Sequence, residues 1–132
     1  MIQFLQPPGW AKPKGFANGI AASGTLVFVA GQVGWTGEGK WEARDFAGQF
    51  RQALQNVITV LKEAQGGPEH IVRLTWYLTS RSEYEAAGAG IGAAWKETLG
   101  RNFPPSTLLY IGGLVDERAK VELEVTAFIP AA

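Results

Sequence analysis

The stretch DFAGQFRQALQNVITVLKEAQGGPEHIVRLTWYLT, residues 45–79, decides the architecture. In its first part Phe46, Phe50, Ala53, Leu54, Val57, Leu61 and Ala64 recur every three or four residues, which is one apolar stripe of a helix over 45–64. Asp45 can cap that helix, because its carboxylate can accept from the free amides of the first turn. Gly66-Gly67 supply a left-handed stop, and Pro68 forbids continuation. After His70 the period changes to two. Val72, Leu74, Trp76 and Leu78 take one face, and Arg73, Thr75, Tyr77 and Thr79 the other, so residues 71–79 read as a strand.

Working outward, residues 19–22 and 25–30 read as strands around a Ser23-Gly24 turn, with Gly31 ending the second. GWTGEGK, residues 34–40, is a loop. A second helix starts at Ser82, where Ser82 and Glu85 match a capping box. Tyr84, Gly88, Ile91, Trp95 and Leu99 line its inner face, and Gly100 ends it. Residues 107–111 form a strand. In the last strand, 121–129, Val121, Leu123, Val125 and Ala127 face inward, and Glu122, Glu124 and Thr126 face the other way. Residues 1–13 carry Pro7, Pro8 and Pro13 and read as an extended arm. The order β-β-α-β-α-β-β implies an α+β layer, one mixed sheet with both helices on one face. The opposite face, with Tyr77, Glu122 and Phe128, is left for a partner subunit or a ligand to cover.

Composition narrows the function. The chain has 132 residues, the size of a single domain over 1–132, with twelve basic residues, twelve acidic residues and no cysteine. Area scaling buries about two-thirds of the unfolded surface, enough for one core. Zero net charge argues against charge-driven nucleic-acid binding and polybasic membrane docking. No apolar run is long enough to span a bilayer, and no signal peptide is expected at the N-terminus. The absence of thiols excludes a cysteine nucleophile and a thiolate metal site. A cytoplasmic location, no cofactor and no metal are the expectations. Light surface charge also permits self-association.

Four motifs invite chemistry. Gly88-Ala89-Gly90-Ile91-Gly92-Ala93 fits a dinucleotide fingerprint, but that motif needs a strand running directly into it. Here a helix has already begun, so the glycines are expected to pack that helix closely on the sheet. Glu122 and Glu124 stand on one strand face, with Cα atoms roughly 6.5–7 Å apart. Such a pair suits proton transfer where a carboxylate is desolvated, although spacing alone favours a solvated face. His70, the only histidine, follows a helix stop and reads as a turn residue. Trp35 and Trp41 flank the glycine-rich loop, where packing on a neighbour is favoured over closing on a ligand.

Read together, these segments resemble the RidA (YjgF, L-PSP endoribonuclease-like) family. Ala30-Gly31-Gln32-Val33 resembles its S-G-Q-I/V element. Residues 49–57, QFRQALQNV, are similar to its first helix, and His70-Ile71-Val72-Arg73-Leu74-Thr75 to its D-I-V-K-x-T strand. Phe103-Pro104-Pro105-Ser106-Thr107 stands where the family has F/Y-P-A-R-S/T. Val121-Glu122-Leu123-Glu124-Val125 resembles its V-E-I-E ending. The resemblance implies a chorismate-mutase-like fold, a homotrimer with small-molecule clefts between subunits, and deaminase-like hydrolysis of enamines and imines. It also implies a catalytic Glu122 that handles water, with Phe16, Gly31, Gln32, Ser106 and Leu108 lining the cleft. Ser106 departs from the family arginine that pairs with a substrate carboxylate. That change points to an enamine or imine substrate lacking the carboxylate, or to a non-catalytic ligand-binding trimer. Arg101 and Arg118 are candidate replacement cations.

Overall fold

A computed structural model describes residues 1–131. Strands β1 (Ile2–Leu5), β2 (Gly19–Ala22) and β3 (Thr25–Val33) precede helix α1 (Phe46–Glu63). After a 3₁₀ turn over Pro68–His70 come β4 (Ile71–Leu78), α2 (Arg81–Ala86), α3 (Gly88–Thr98), β5 (Ser106–Tyr110) and β6 (Val121–Ile129). The main sheet has the order β3-β6-β4-β5, antiparallel except for the parallel β4–β5 pair. β1 and β2 form a separate antiparallel ribbon with Ile2 opposite Ala22. The expected extended arm therefore contains a strand, because Ile2–Leu5 finds its partner only after the proline-rich turn.

The period-3.6 stripe is the core side of α1. Phe46, Phe50, Ala53, Leu54, Val57 and Leu61 are buried against Leu74, Trp76 and Leu78 of β4 and the inward residues of β6. Phe50 stacks on Trp76 with ring centroids 4.6 Å apart, and Trp76 on Trp95 at 5.9 Å. Offset ring contacts of this kind add about 0.5–1.5 kcal/mol beyond area burial. Asp45 caps the helix by accepting from the Gly48 amide at 3.2 Å.

Three local expectations are corrected. The left-handed residue after α1 is Gln65, at φ 62°, and Gly66 is needed for another reason. A β-carbon at Gly66 would lie 2.7 Å from Ile129 Cδ1. The second helix is capped by Ser80 rather than Ser82, with the Ser80 hydroxyl accepting from the Glu83 amide at 3.2 Å. It breaks at Ala87 into α2 and α3. The glycines do not pack on the sheet. Gly88 and Gly92 face open space, whereas a β-carbon on Gly90 would stand 2.6 Å from Ala47 Cβ of α1. Gly90 thus lets the two helices approach closely.

The long helix α1 and α3, which packs on it, lie on one face of the main sheet. The other face carries Leu26, Phe28, Thr126 and Phe128, together with Arg73, Thr75, Tyr77, Glu122 and Glu124. No element among the described residues covers it, and Phe28 is 73% exposed.

Candidate functional site

The site begins with a bulge. β3 does not end at Gly31 as the sequence suggests but continues to Val33, with a register shift between Val29 and Gln32. Ala30 and Gly31 together face one residue of β6, Glu124. Such a bulge bends the strand and redirects its side chains. At Gly31 it brings the backbone under the Glu122 side chain. A β-carbon there would fall 1.9 Å from Glu122 Oε1 and 2.8 Å from Cδ. Only a residue without a side chain leaves that space to the carboxylate. Gln32 follows, its side-chain amide donating back to the Ala30 carbonyl at 3.1 Å.

Two polar residues of α1 hold the strands that carry this pair. Gln49 is 2% exposed, and its amide nitrogen donates to the Arg118 carbonyl at 2.9 Å while its oxygen accepts from the Lys120 amide at 2.8 Å. This anchors the chain just before Glu122. Gly34 permits the contact, since a β-carbon there would meet Gln49 Cα at 2.6 Å. Asn56 donates to the carbonyls of Val33 and Trp35 at 3.1 and 2.8 Å and so fixes the end of β3. Sequence reading placed Gln49 and Asn56 in the helix but not in these roles. A polar residue interrupting an apolar stripe was the available signal for Gln49.

Glu122 and Glu124 do share the open face, as the alternation predicts, but they differ in surroundings. The Tyr77 hydroxyl donates to Glu124 Oε1 at 3.1 Å, and this hydrogen bond raises the Tyr77 pKa above its usual value. Glu122 makes no hydrogen bond to any described residue.

The remaining predicted residues form a second group. Phe16 and Ser106 line one cavity of about 390 Å³ with Asn18, Val72, Arg73 and Thr107. The Ser106 hydroxyl donates to the Pro104 carbonyl at 3.2 Å. Leu108 is in register with Trp76 on the edge strand β5 and is part-exposed. Glu122 is in register with Tyr77, and Tyr77 with Leu109, so Ser106 lies two strands and three residues from Glu122. At ordinary sheet spacings that is about 14 Å between Cα atoms. A single chain therefore does not bring Ser106 and Glu122 to one small molecule.

Other candidates resolve into structural roles. His70 Nδ1 accepts from the Gly67 amide at 3.0 Å, closing the turn before β4. Trp35 packs on Trp41 at 5.8 Å. Arg118 is bound by both Asp116 oxygens, at 3.0 and 2.8 Å, and lies over the Trp41 ring, away from Ser106. Its guanidinium holds the Asp116 carboxyl down to about 2. Among the described residues no three His, Cys, Asp or Glu side chains gather as a metal site.

With this arrangement in view, comparison with known proteins decides the family. The endoribonuclease L-PSP family profile matches residues 11–129. The chain belongs to the endoribonuclease L-PSP family. A RutC-family protein of Synechocystis is 30% identical, the match covering 98% of this chain and 96% of that one. An uncharacterised Streptomyces coelicolor protein is also 30% identical, over 90% of this chain and 85% of its own. Among solved structures, the Rid-family protein YyfB of Yersinia pestis superposes with a TM-score of 0.81 at 27% identity, covering 97% of this chain and 98% of that one. The α+β L-PSP architecture, with its mixed sheet and helices on one face, is thus shared. No helix of the described L-PSP chain is long and apolar enough to cross a membrane.

Proposed function

We propose that this L-PSP-family protein is a cytoplasmic hydrolase of small enamines or imines, acting in clefts between the subunits of a homotrimer. The observation that carries the reading is the Glu122 carboxylate seated over the Gly31 bulge, on a sheet face that none of the described residues covers. An exposed apolar patch with Phe28, Leu26 and Leu109 beside it fits a subunit interface. The separation of Ser106 from Glu122 also fits, since a neighbouring copy can supply Phe16, Ser106 and Leu108 to the Glu122 of the first.

In the proposed reaction Glu122 takes a proton from water as the oxygen adds to the C=N carbon. That proton passes to nitrogen to give a carbinolamine; the carbinolamine hydroxyl then loses its proton, through Glu122, to the amino group as the C–N bond breaks, so that ammonia leaves a carbonyl compound. General-base assistance of this kind contributes about 10²–10⁴-fold. Gly31 and Gln32 supply backbone and amide groups at the rim. Ribonuclease chemistry gains no support from zero net charge and a single histidine engaged in a turn. The alternative is a non-catalytic ligand-binding trimer, favoured by a Ser106 hydroxyl already satisfied by Pro104.

The test is release of ammonia, with pyruvate from 2-aminoacrylate and the matching aldehyde or ketone from a panel of uncharged imines, with light scattering alongside. A trimer whose turnover falls at least a hundredfold in Glu122→Gln is expected. Unchanged turnover in Glu122→Gln would remove Glu122 from the chemistry, and a monomer at micromolar concentration would remove the shared cleft. A trimer that binds imines without turning any over would establish the alternative.

A further inference from the structure

The open face of the sheet holds a cavity of about 680 Å³ that the reaction described above does not use. Phe28 and Leu109 give it apolar walls, and Thr75, Tyr77 and Glu124 give it polar ones. Cross-strand register sets these groups in rows, with Arg73 opposite Thr126, Thr75 opposite Glu124 and Tyr77 opposite Glu122. Thr75 singles the cavity out. Of the two buried polar residues, Gln49 is hydrogen-bonded at both ends of its amide, whereas the Thr75 hydroxyl makes no hydrogen bond to any described residue although Thr75 is only 8% exposed. Buried polar groups are normally paired, and this one lines a cavity directly across from a carboxylate. The titratable groups on this face are Arg73 and Tyr77 of β4 and Glu122 and Glu124 of β6, while β3 and β5 present none to it. One cation against two carboxylates leaves the face negative. Arg73 stands one row from Glu124 and forms no ion pair with it.

We propose that this cavity is a subsite for a small nitrogen cation, an iminium or a primary ammonium, with Glu124 as its counter-charge and the Thr75 and Tyr77 hydroxyl oxygens as further acceptors. The inference rests on reading the open face as a small-molecule site, and it assigns the nitrogen end of that molecule to Glu124 beside the water-handling Glu122. The N–H groups of such a cation are donors only, and a carboxylate is an acceptor only, so their hydrogen bonds are charge-assisted. Tyr77 occupies one lone pair of Glu124 Oε1, at 3.1 Å, and so steadies the carboxylate while leaving its other acceptor sites open. The Thr75 oxygen, unpaired within the chain, accepts from a second N–H. Glu122 and Glu124 stand about 6.5–7 Å apart along β6, which lets one small molecule present its carbon to water at Glu122 and its nitrogen to Glu124. In C=N hydrolysis the nitrogen is positive whenever it is protonated, before water adds and as the amine departs. A fixed negative group at that position stabilises the charge without reorganising. The volume lies within the range of small-molecule sites.

The probe is acetamidine, a planar cation at neutral pH with the shape of a protonated imine, and its neutral isostere acetamide is the control. Each is titrated into the intact protein at constant ionic strength and followed by NMR chemical shifts. Acetamidine is expected to bind and acetamide not. Glu124→Gln should weaken acetamidine binding about ten- to hundredfold, the range of a charge-assisted hydrogen bond. Thr75→Val keeps the side-chain shape and removes the hydroxyl. It should weaken binding about two- to tenfold with no loss of thermal stability, a result that a packing role would not give. Glu63→Gln, at the exposed end of α1, should change nothing. Failure of the wild-type protein to bind acetamidine, equal binding of acetamidine and acetamide, or unchanged affinity in Glu124→Gln would each overturn the subsite. Binding that appears only in Arg73→Gln would overturn it too, making Glu124 the ion-pair partner of Arg73 from a second copy. Where light scattering shows that Glu124→Gln alters the oligomeric state, Thr75→Val decides, and unchanged affinity there overturns the subsite. Binding needs no turnover. Glu124-dependent acetamidine binding without imine hydrolysis therefore sinks the catalytic reading alone, and hydrolysis with no preference for acetamidine over acetamide sinks the subsite alone.

Discussion

Adding one methyl group at Gly31 separates positioning from stability. The new β-carbon would stand 1.9 Å from Glu122 Oε1, 2.8 Å from Cδ and 3.1 Å from Cγ. Gly31 is not among the residues with positive φ, so alanine suits the backbone there. To reach an ordinary contact of 3.4 Å the carboxylate oxygen must retreat by about 1.5 Å. Glu122 is only half-buried and its side chain is flexible, so the retreat costs about 0.5–1.5 kcal/mol of rotamer strain. That is small beside a fold stability of about 5–15 kcal/mol. The effect on chemistry should be much larger, because a misplacement of about 1 Å can cost 10²-fold in rate. Gly31→Ala is therefore expected to lower kcat/KM for imine hydrolysis about a hundredfold while the thermal midpoint drops by only a few degrees and the oligomeric state holds. Gly37→Ala, in open space, serves as the silent control. Wild-type turnover in Gly31→Ala would refute the argument that the bulge positions the carboxylate. A Gly31→Ala chain that cannot fold would show the contact to be one of packing.

Two further outcomes follow from contacts outside the site. Gly90→Ala inserts a β-carbon 2.6 Å from Ala47 Cβ between two helices, and urea unfolding should show a loss of about 1–3 kcal/mol despite the better helix propensity of alanine. Gly88→Ala and Gly92→Ala, which meet nothing, should instead stabilise. For Asp116 the sign follows from a folded pKa depressed to about 2 from an ordinary 3.8, so its contribution is present above 3.8 and lost as pH falls through about 2. An NMR titration should place its midpoint near 2, and Arg118→Gln should return it toward 3.8.

Much of the fold was legible in periodicity. The stripe from Phe46 to Leu61 and the alternation in β4 and β6 each record which side of one element is buried. They correctly leave Tyr77, Glu122 and Phe128 on the uncovered face. Capping was legible in kind but not in place, because Ser80-x-x-Glu83 and Ser82-x-x-Glu85 satisfy the same pattern, and it is Ser80 whose backbone is extended and whose hydroxyl accepts from the Glu83 amide. The roles of Gln49 and Asn56 were not legible. Each is defined by backbone groups that a distant segment supplies.

The sequence by itself determined the elements, their buried faces and the outward direction of the two glutamates. Those properties follow from backbone geometry that repeats every 3.6 or 2 residues, and a short window of side chains reports them. Only the tertiary structure decided that Gly31 lies inside β3, that Gly90 rather than Gly88 or Gly92 is the packing glycine, and that Ser106 and Glu122 stand far apart in one chain. The Gly31 bulge exists because β3 pairs with a strand some ninety residues later in a register that leaves Ala30 and Gly31 opposite one residue. Such pairing is settled by the packing of the whole sheet, and no local pattern encodes it.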